Sequence, residues 1–200
     1  MSLSDQVLAN DVLAQLFTEA RTHVQWQDRA VSDEQLQALY ELAKWGPTSM
    51  NCFPMRLKFI KSRAAKARLV PLLAEGNQAK TEAAPATIIV ASDYAFHERL
   101  PVLFPAAPAA RDMFAGDQAL RDATAFRNSS LQAAYLIMAV RALGLDAGPM
   151  SGFDAQKVDQ EFFAGTECRT NLLINVGYGV AEKLYPRGPR PGFDEVAEIL

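Results

Sequence analysis

The chain is poor in the residues that most enzymes use directly. It has two cysteines and two histidines in 200 residues. Cys52 and Cys168 cannot make a disulfide framework, and the expectation is two free thiols in a reducing cytoplasm. His23 and His97 are the only histidines, and neither C-x-x-C nor H-E-x-x-H occurs, so no metal site is expected. There is no G-x-G-x-x-G, no G-x-x-x-x-G-K-[ST] and no G-x-S-x-G. That excludes the usual dinucleotide fingerprint, the P-loop and the hydrolase elbow. Ser151 stands in M-S-G-F with nothing in the sequence to pair it with a histidine. A net charge of −3 without a Lys/Arg run gives no footprint for nucleic acid or an anionic membrane. The N-terminus, M-S-L-S-D-Q-V-L, lacks the positive and apolar regions of a signal peptide. With so few acid–base candidates, no side chain is assigned as catalytic, and difficult chemistry would have to come from a cofactor.

What the chain does have is an ordinary globular composition, 50% apolar and 22% charged. Its length suits a single domain over residues 1–200. The stretch that organises the rest is Arg127 to Asp154. Between Leu131 and Leu143 only Gln132 and Arg141 are strongly polar. A helix apolar almost all round cannot lie on a surface, so it needs cover from sheet, helices or a second subunit. It is too short to cross a bilayer, which takes about 20 residues. Gly144 is a natural stop. Gly148-Pro149-Met150-Ser151-Gly152 then reads as a turn whose backbone can approach something flat. An ordinary helix-to-strand loop is the competing reading.

Taken in order, Asn10 to Ala20 has helical spacing. Ser32-Asp33-Glu34-Gln35 is a capping box that starts a helix ending at Gly46-Pro47. Pro47-Thr48-Ser49-Met50-Asn51-Cys52-Phe53-Pro54 is a polar turn between prolines. Arg56 to Lys61 alternates as a strand. Ala64 to Leu73 reads as a helix, broken by Gly76-Asn77, with a short helix from Gln78 to Ala83. Thr87 to Ala91 is a strand buried on both faces. Three prolines prevent a continuous helix over Leu100 to Gly116, which suits either a lid over a pocket or a surface connector. Asp117 to Arg127 leads into the central helix. Asp154 caps a helix to about Phe163, and Thr170 to Tyr178 is a further strand. The tail from Lys183 is broken by proline and then helical. Strands spaced by helices favour a helix-covered sheet. Arg21 and His23 near one end, and Lys183, Arg187 and Arg190 near the other, would make a phosphate site if the termini converge. Surface charge is the alternative for any one of them.

Five strings in order resemble the FMN-dependent nitroreductase family over nearly the whole chain. They are Arg21-Thr22-His23 after the first helix, the Pro47–Pro54 turn, and Asn77 eight residues before Ala84-Pro85. Ala142 through Asp154 and, less closely, Lys183 to Arg190 complete the set. W-G-P-T-S-x-N, A-T-A-F-R-N-S-S and G-P-M-S-G-F-D look like the RutE/HadB subfamily, associated with reduction of malonic semialdehyde to 3-hydroxypropionate in pyrimidine degradation. The resemblance implies an α+β fold with a mixed, mainly antiparallel sheet wrapped by helices, in an intertwined homodimer. It implies FMN as cofactor and NADH or NADPH as reductant. Arg21, His23, Lys183, Arg187 and Arg190 would serve the phosphate, and Asn77 the pyrimidine side of the ring. Pro149, Met150, Ser151 and Gly152 would lie along the flavin, with Pro47, Thr48, Ser49 and Asn51 contributed by the other subunit. Ser151 stands where many members carry an acidic residue, so a less negative substrate pocket is implied. A general nitro- or quinone reductase and a flavin-binding protein without turnover remain the alternatives.

Overall fold

The computed structural model describes residues 5–200; Met1–Ser4, where the stretch read for a signal peptide begins, lie outside the described residues. Four strands form one antiparallel sheet in the order β1-β2-β4-β3. They are β1 (Met55–Ile60), β2 (Ala86–Asp93), β3 (Asp146–Met150) and β4 (Cys168–Gly177). The sheet is less mixed than expected, because every ladder is antiparallel. Among the described residues its one parallel element is an isolated bridge from Thr22 to Ala147 at the β3 edge.

The β-branched run in β2 becomes a strand with all but its last residue buried. Alternation divides its side chains between two cores. Ile88 and Val90 pack with Leu36 and Leu39 of α2 (Asp33–Ala43) and with Leu136 and Val140 of α7 (Gln118–Ala142). Ile89 and Ala91 face the other way, onto Leu69 of α3 (Arg63–Leu69) and Val158 of α8 (Ala155–Phe162). The capping box forms as read: Ser32 Oγ accepts from Gln35 N, and Gln35 Oε1 accepts from Ser32 N. Asp154 likewise caps α8 by accepting from Lys157 N.

The central helix and its lead-in are one element of 25 residues, capped by Asp117 and ending before Gly144 at φ +70°. Within one chain it is not covered all round. Leu136, Ala139 and Val140 are buried, whereas Leu131 and Tyr135 are exposed on the opposite side. The polar groups on its buried side anchor the β1 end of the sheet. Gln132 Oε1 accepts from Met55 N at 3.0 Å, and Asn128 Oδ1 accepts from Ser49 N at 2.8 Å.

Other elements depart from the sequence reading. The first helix is one α turn, α1 (Asn10–Leu13), followed by a wider π turn at Ala14–Thr18. Gly76 and Asn77 do not break a helix but sit in the first turn of α4 (Glu75–Ala83), where the N–H groups need no intrahelical acceptor. Leu100–Gly116 holds two short helices, α5 (Leu100–Leu103) and α6 (Ala110–Gly116). They form a third core in which Leu100 and Phe114 pack with Cys52 and Phe96. The tail has a single helical turn, α9 (Phe193–Val196). Among the described residues no helix is long and apolar enough to cross a membrane.

Candidate ligand-binding site

The two ends of the chain do converge. The Thr22–Ala147 bridge, with His23 N donating to Ala147 O at 3.1 Å, docks the segment 21–23 on the start of β3. Arg21 then donates to Tyr185 O, and Arg187 returns a bond to Ala20 O at 3.3 Å. Arg21, Arg187, Arg190 and Arg141 line one cavity of about 270 Å³ with Thr22 and Tyr185. None of these four arginines has a carboxylate within ion-pair distance among the described residues. Four guanidinium groups around one cavity, none of them ion-paired among the described residues, make a candidate anion site.

Two predicted members of that set do not line this cavity, although His23 lines an adjoining one with Arg21, Arg141 and Asp146. His23 is buried, with Nε2 3.2 Å from Asp146 Oδ1. Asp146 Oδ2 in turn accepts from Gly179 N at 2.8 Å. A Cβ on Gly179 would fall 1.8 Å from His23 Nδ1, so the imidazole fits only because glycine is there. His23 is therefore packed against Gly179 and Asp146, beside Arg21 and Arg141. Lys183 is exposed and does not line the arginine cavity.

At the far end of β3 lies a second meeting point. The sequence reading made Gly148–Met150 a turn, but these residues finish β3, with Pro149 opposite Ile174 and Met150 opposite Leu173. Proline is tolerated because β3 is an edge strand, where some N–H groups have no ladder partner. The chain leaves the sheet only at Ser151. Gly152 O then accepts from Asn77 Nδ2 at 2.7 Å and from Ala74 N at 3.0 Å. A Cβ on Gly152 would stand 2.6 Å from Asn77 Nδ2, so this approach also requires glycine. Pro149 and Ser151 are exposed, while Met150 is buried and its sulfur takes a 3.7 Å contact from Thr81 Oγ1.

From Ala147, beside the arginines, to Gly152 is five residues, roughly 17 Å of extended chain at 3.3 Å each. A cavity of about 480 Å³ shares Val24 and Tyr185 with the arginine cavity and is lined also by Trp26 and by Gly76, next to Asn77. A basic hollow and a glycine-lined contact thus lie at the two ends of one strand. An opening of about 630 Å³ between α2, β1 and α3 is larger, but none of the predicted site residues lines it.

The Pro47–Asn51 turn is not brought to this place. It precedes β1, at the opposite edge of the sheet, about 14 Å away across three interstrand spacings. Three residues here without glycine's freedom have positive φ: Met50 at 52°, Asn51 at 49° and Phe53 at 44°. Each costs about 1–2 kcal/mol, least for asparagine, and persists only where surroundings over-determine it. Here Ser49 N is held by Asn128, Asn51 Nδ2 donates to Leu103 O at 2.9 Å, and Cys52 is fully buried. No motif announced this strain, since none of the three is glycine.

Arg141 is the member that sequence reasoning did not place in the site. Its signal was present: a cation in the last turn of α7, within the apolar-rich stretch Leu131–Leu143.

A model described as "Nitroreductase family" matches residues 18–178. A Burkholderia lata protein provisionally named NADH dehydrogenase/NAD(P)H nitroreductase is 61% identical over 192 residues, 96% of this chain and 98% of the relative. Among solved structures, a provisionally named nitroreductase of Bacillus subtilis superposes with a TM-score of 0.87 at 20% identity, covering 96% of this chain and all of the other. A provisionally named nitroreductase of Exiguobacterium sibiricum, solved in complex with FMN, gives 0.85 at 22% identity, with 97% and 99% covered. At such identities the two structures speak for the fold alone.

Proposed function

The chain belongs to the nitroreductase family, and we propose that it is an FMN-dependent NAD(P)H oxidoreductase working as a homodimer. The observation that carries this reading is the arrangement along β3, a cavity of unpaired arginines at its start and the Asn77–Gly152 contact beyond its end. A molecule with a phosphate at one end and a flat ring at the other fits that arrangement. Bound FMN supplies the centre that accepts hydride from NAD(P)H and returns it to an acceptor.

The chain's own residues supply binding and position. Arg21, Arg187 and Arg190 neutralise the phosphate, each already fixed by a carbonyl contact. Charge-assisted bonds of this kind are shorter and stronger than neutral ones. Asn77, held by its bond to Gly152 O, would have its remaining amide capacity available to the ring's polar edge. Pro149, Ser151 and Gly152 offer exposed or small groups, so the ring and an incoming substrate can approach the backbone. Ser151 puts a neutral hydroxyl there, which suits an anionic or neutral acceptor better than an acidic residue would.

The homodimer is part of the proposal. Trp45 is 78% exposed and Tyr135 45%, and Tyr135 lies against Gly46, where an added Cβ would be 2.8 Å from its ring. Tyr40 meets Phe53 edge-on at 6.5 Å between centroids. This apolar face is continuous with the strained turn, so a second copy covering it would bring the Pro47–Asn51 turn of one chain towards the β3 site of the other. The two free cysteines suit the cytoplasm, where we place the protein.

For the acceptor, we favour malonic semialdehyde, reduced to 3-hydroxypropionate, on the strength of the W-G-P-T-S-x-N and G-P-M-S-G-F-D strings. The relative's name favours a second reading, a general nitro- or quinone reductase. Anaerobic addition of NADH should bleach the bound flavin, and an acceptor should restore its colour. A flavin that stays oxidised would make the protein a binder. Steady-state kcat/KM for malonic semialdehyde against a nitroaromatic and a quinone then separates the two enzymatic readings.

A further inference from the structure

The arginine cavity has four cations, one more than the set assigned to the phosphate above. Arg141 lies in the last turn of α7. Its Nη1 donates to Leu16 O at 2.9 Å, and its own carbonyl accepts from Gln15 Nε2 at 2.7 Å. Its Nε is buried and has no hydrogen-bond partner among the described residues. Burial pulls its pKa down, while Asp146 opposes this from beyond ion-pair distance. A guanidinium nevertheless stays protonated in proteins, so the charge is present, without an ion-pair partner among the described residues.

All four arginines share one construction. Each is fixed through carbonyl oxygens, Arg21 by Tyr185, Arg141 by Leu16, Arg187 by Ala20, and Arg190 by Gly188 and Pro189. Carbonyl contacts orient a guanidinium without neutralising it. The result is a preorganised cationic cradle. A cation that served only to tie α7 to the N-terminal turn would need the Leu16 bond alone. It would gain nothing from lining the same cavity as three other unpaired arginines.

We propose that Arg141 is a fourth phosphate-binding residue, resting on the flavin reading above. Its guanidinium closes the α7 side of the cavity and meets the phosphate through the nitrogens that the Leu16 bond leaves free. It also couples the phosphate end of the site to α7, whose Gln132 and Asn128 hold the β1 end of the sheet.

The test compares FMN with riboflavin, which lacks the phosphate. Both are titrated by fluorescence quenching into full-length wild-type protein and Arg141→Met freed of flavin. The expected result is FMN affinity lowered about ten- to a hundredfold in the variant, with riboflavin affinity unchanged. A purely structural role would lower both affinities together, or neither, and either outcome overturns the proposal. Arg141→Lys keeps the charge without the fork and carries the same readout should the methionine variant not fold; its FMN-to-riboflavin ratio is expected between the other two. A lysine variant with the wild-type ratio, where the methionine variant cannot be measured, counts against the proposal. Wild-type protein that binds neither flavin removes the flavin reading itself; wild type that prefers FMN while the variants prefer it equally removes Arg141 alone.

Discussion

Adding one methyl group to Gly152 tests the ring end of the site directly. The new Cβ would stand 3.4 Å from Ala74 Cβ, which is near ordinary contact, and 2.6 Å from Asn77 Nδ2, which is not. In Gly152→Ala the Asn77 amide therefore has to swing away and give up its 2.7 Å bond to Gly152 O. A neutral hydrogen bond of this kind contributes about 1 kcal/mol net. Ala74 N still serves the Gly152 carbonyl, so no buried acceptor is stranded. For a chain of this size the melting temperature should fall by roughly 2–4 °C. The functional consequence should be much larger if Asn77 orients the flavin, because a displacement of about 1 Å can slow a reaction on the order of a hundredfold. The assays are thermal melting, FMN titration and stopped-flow reduction by NADH on one preparation. Asn77→Ala supplies the internal control, since with the amide gone the new methyl meets only Ala74. The second substitution should then add little, a departure from additivity of 1 kcal/mol or more in activation free energy. Normal FMN affinity and reduction rate in Gly152→Ala, with only the melting shift, would move the site elsewhere. Fully additive effects in the double variant would refute the route through Asn77.

Arg21→Ala should weaken FMN binding about ten- to a hundredfold while leaving the melting temperature of the flavin-free protein nearly unchanged; equal affinities in titration would take Arg21 out of the site. Sedimentation at low micromolar concentration should give a dimer, because the exposed Trp45, Leu131 and Tyr135 need cover; a well-folded monomer would contradict this. Burial pushes the Cys52 thiol up to about 11, so at pH 8 roughly one molecule in a thousand carries the thiolate. Alkylation followed by mass spectrometry should spare Cys52 in the native protein and label it after denaturation, and rapid native labelling would refute its burial.

Much of the scaffold was legible because it rests on local chemistry. The Ser32–Gln35 box and the Asp154 cap satisfy N–H groups within three residues of themselves, and both form as read. The buried character of β2 follows from a β-branched run that suits no exposed position. Misreadings came where context overrides propensity. Gly148-Pro149 signals a turn by composition, but at a sheet edge the pairing with β4 decides. Gly76-Asn77 signals a break, yet the first turn of α4 tolerates both residues. Positive φ at Met50 and Phe53 runs against the preference of those residue types, and it is held by the contacts of Asn128, Leu103 and Cys52 together with bonds to Thr48 inside the turn. In the candidate site, Arg21 and Arg187 were readable from the idea that termini meet. The burial of His23 was not, because it depends on Gly179 leaving room and on Asp146 pairing with the imidazole.

The position of the strained turn bears on the proposed dimer. The arginine cavity and the Asn77–Gly152 contact lie along β3, whereas the Pro47–Asn51 turn lies beyond β1, at the other edge of a close-packed sheet. No rotamer change spans that width. Strain at Met50 and Phe53 nevertheless persists, and such strain concentrates where a fixed geometry serves binding. Around the turn, Asn128 and Gln132 reach from α7 to hold Ser49 and Met55, while the outward side of the same helix presents Leu131 and Tyr135. In the proposed dimer one helix therefore has two duties, gripping the turn from inside and meeting the second copy from outside. A two-fold axis makes the exchange reciprocal, so each chain lends its turn and borrows one, and two equivalent sites form together. Loosening the turn should then impair the site that the other chain carries. A mixed dimer of one chain altered at Gly152 and one altered at Asn51 separates the two arrangements: with borrowed turns both defects fall in one site and the other site is intact, whereas self-contained sites would each carry one defect.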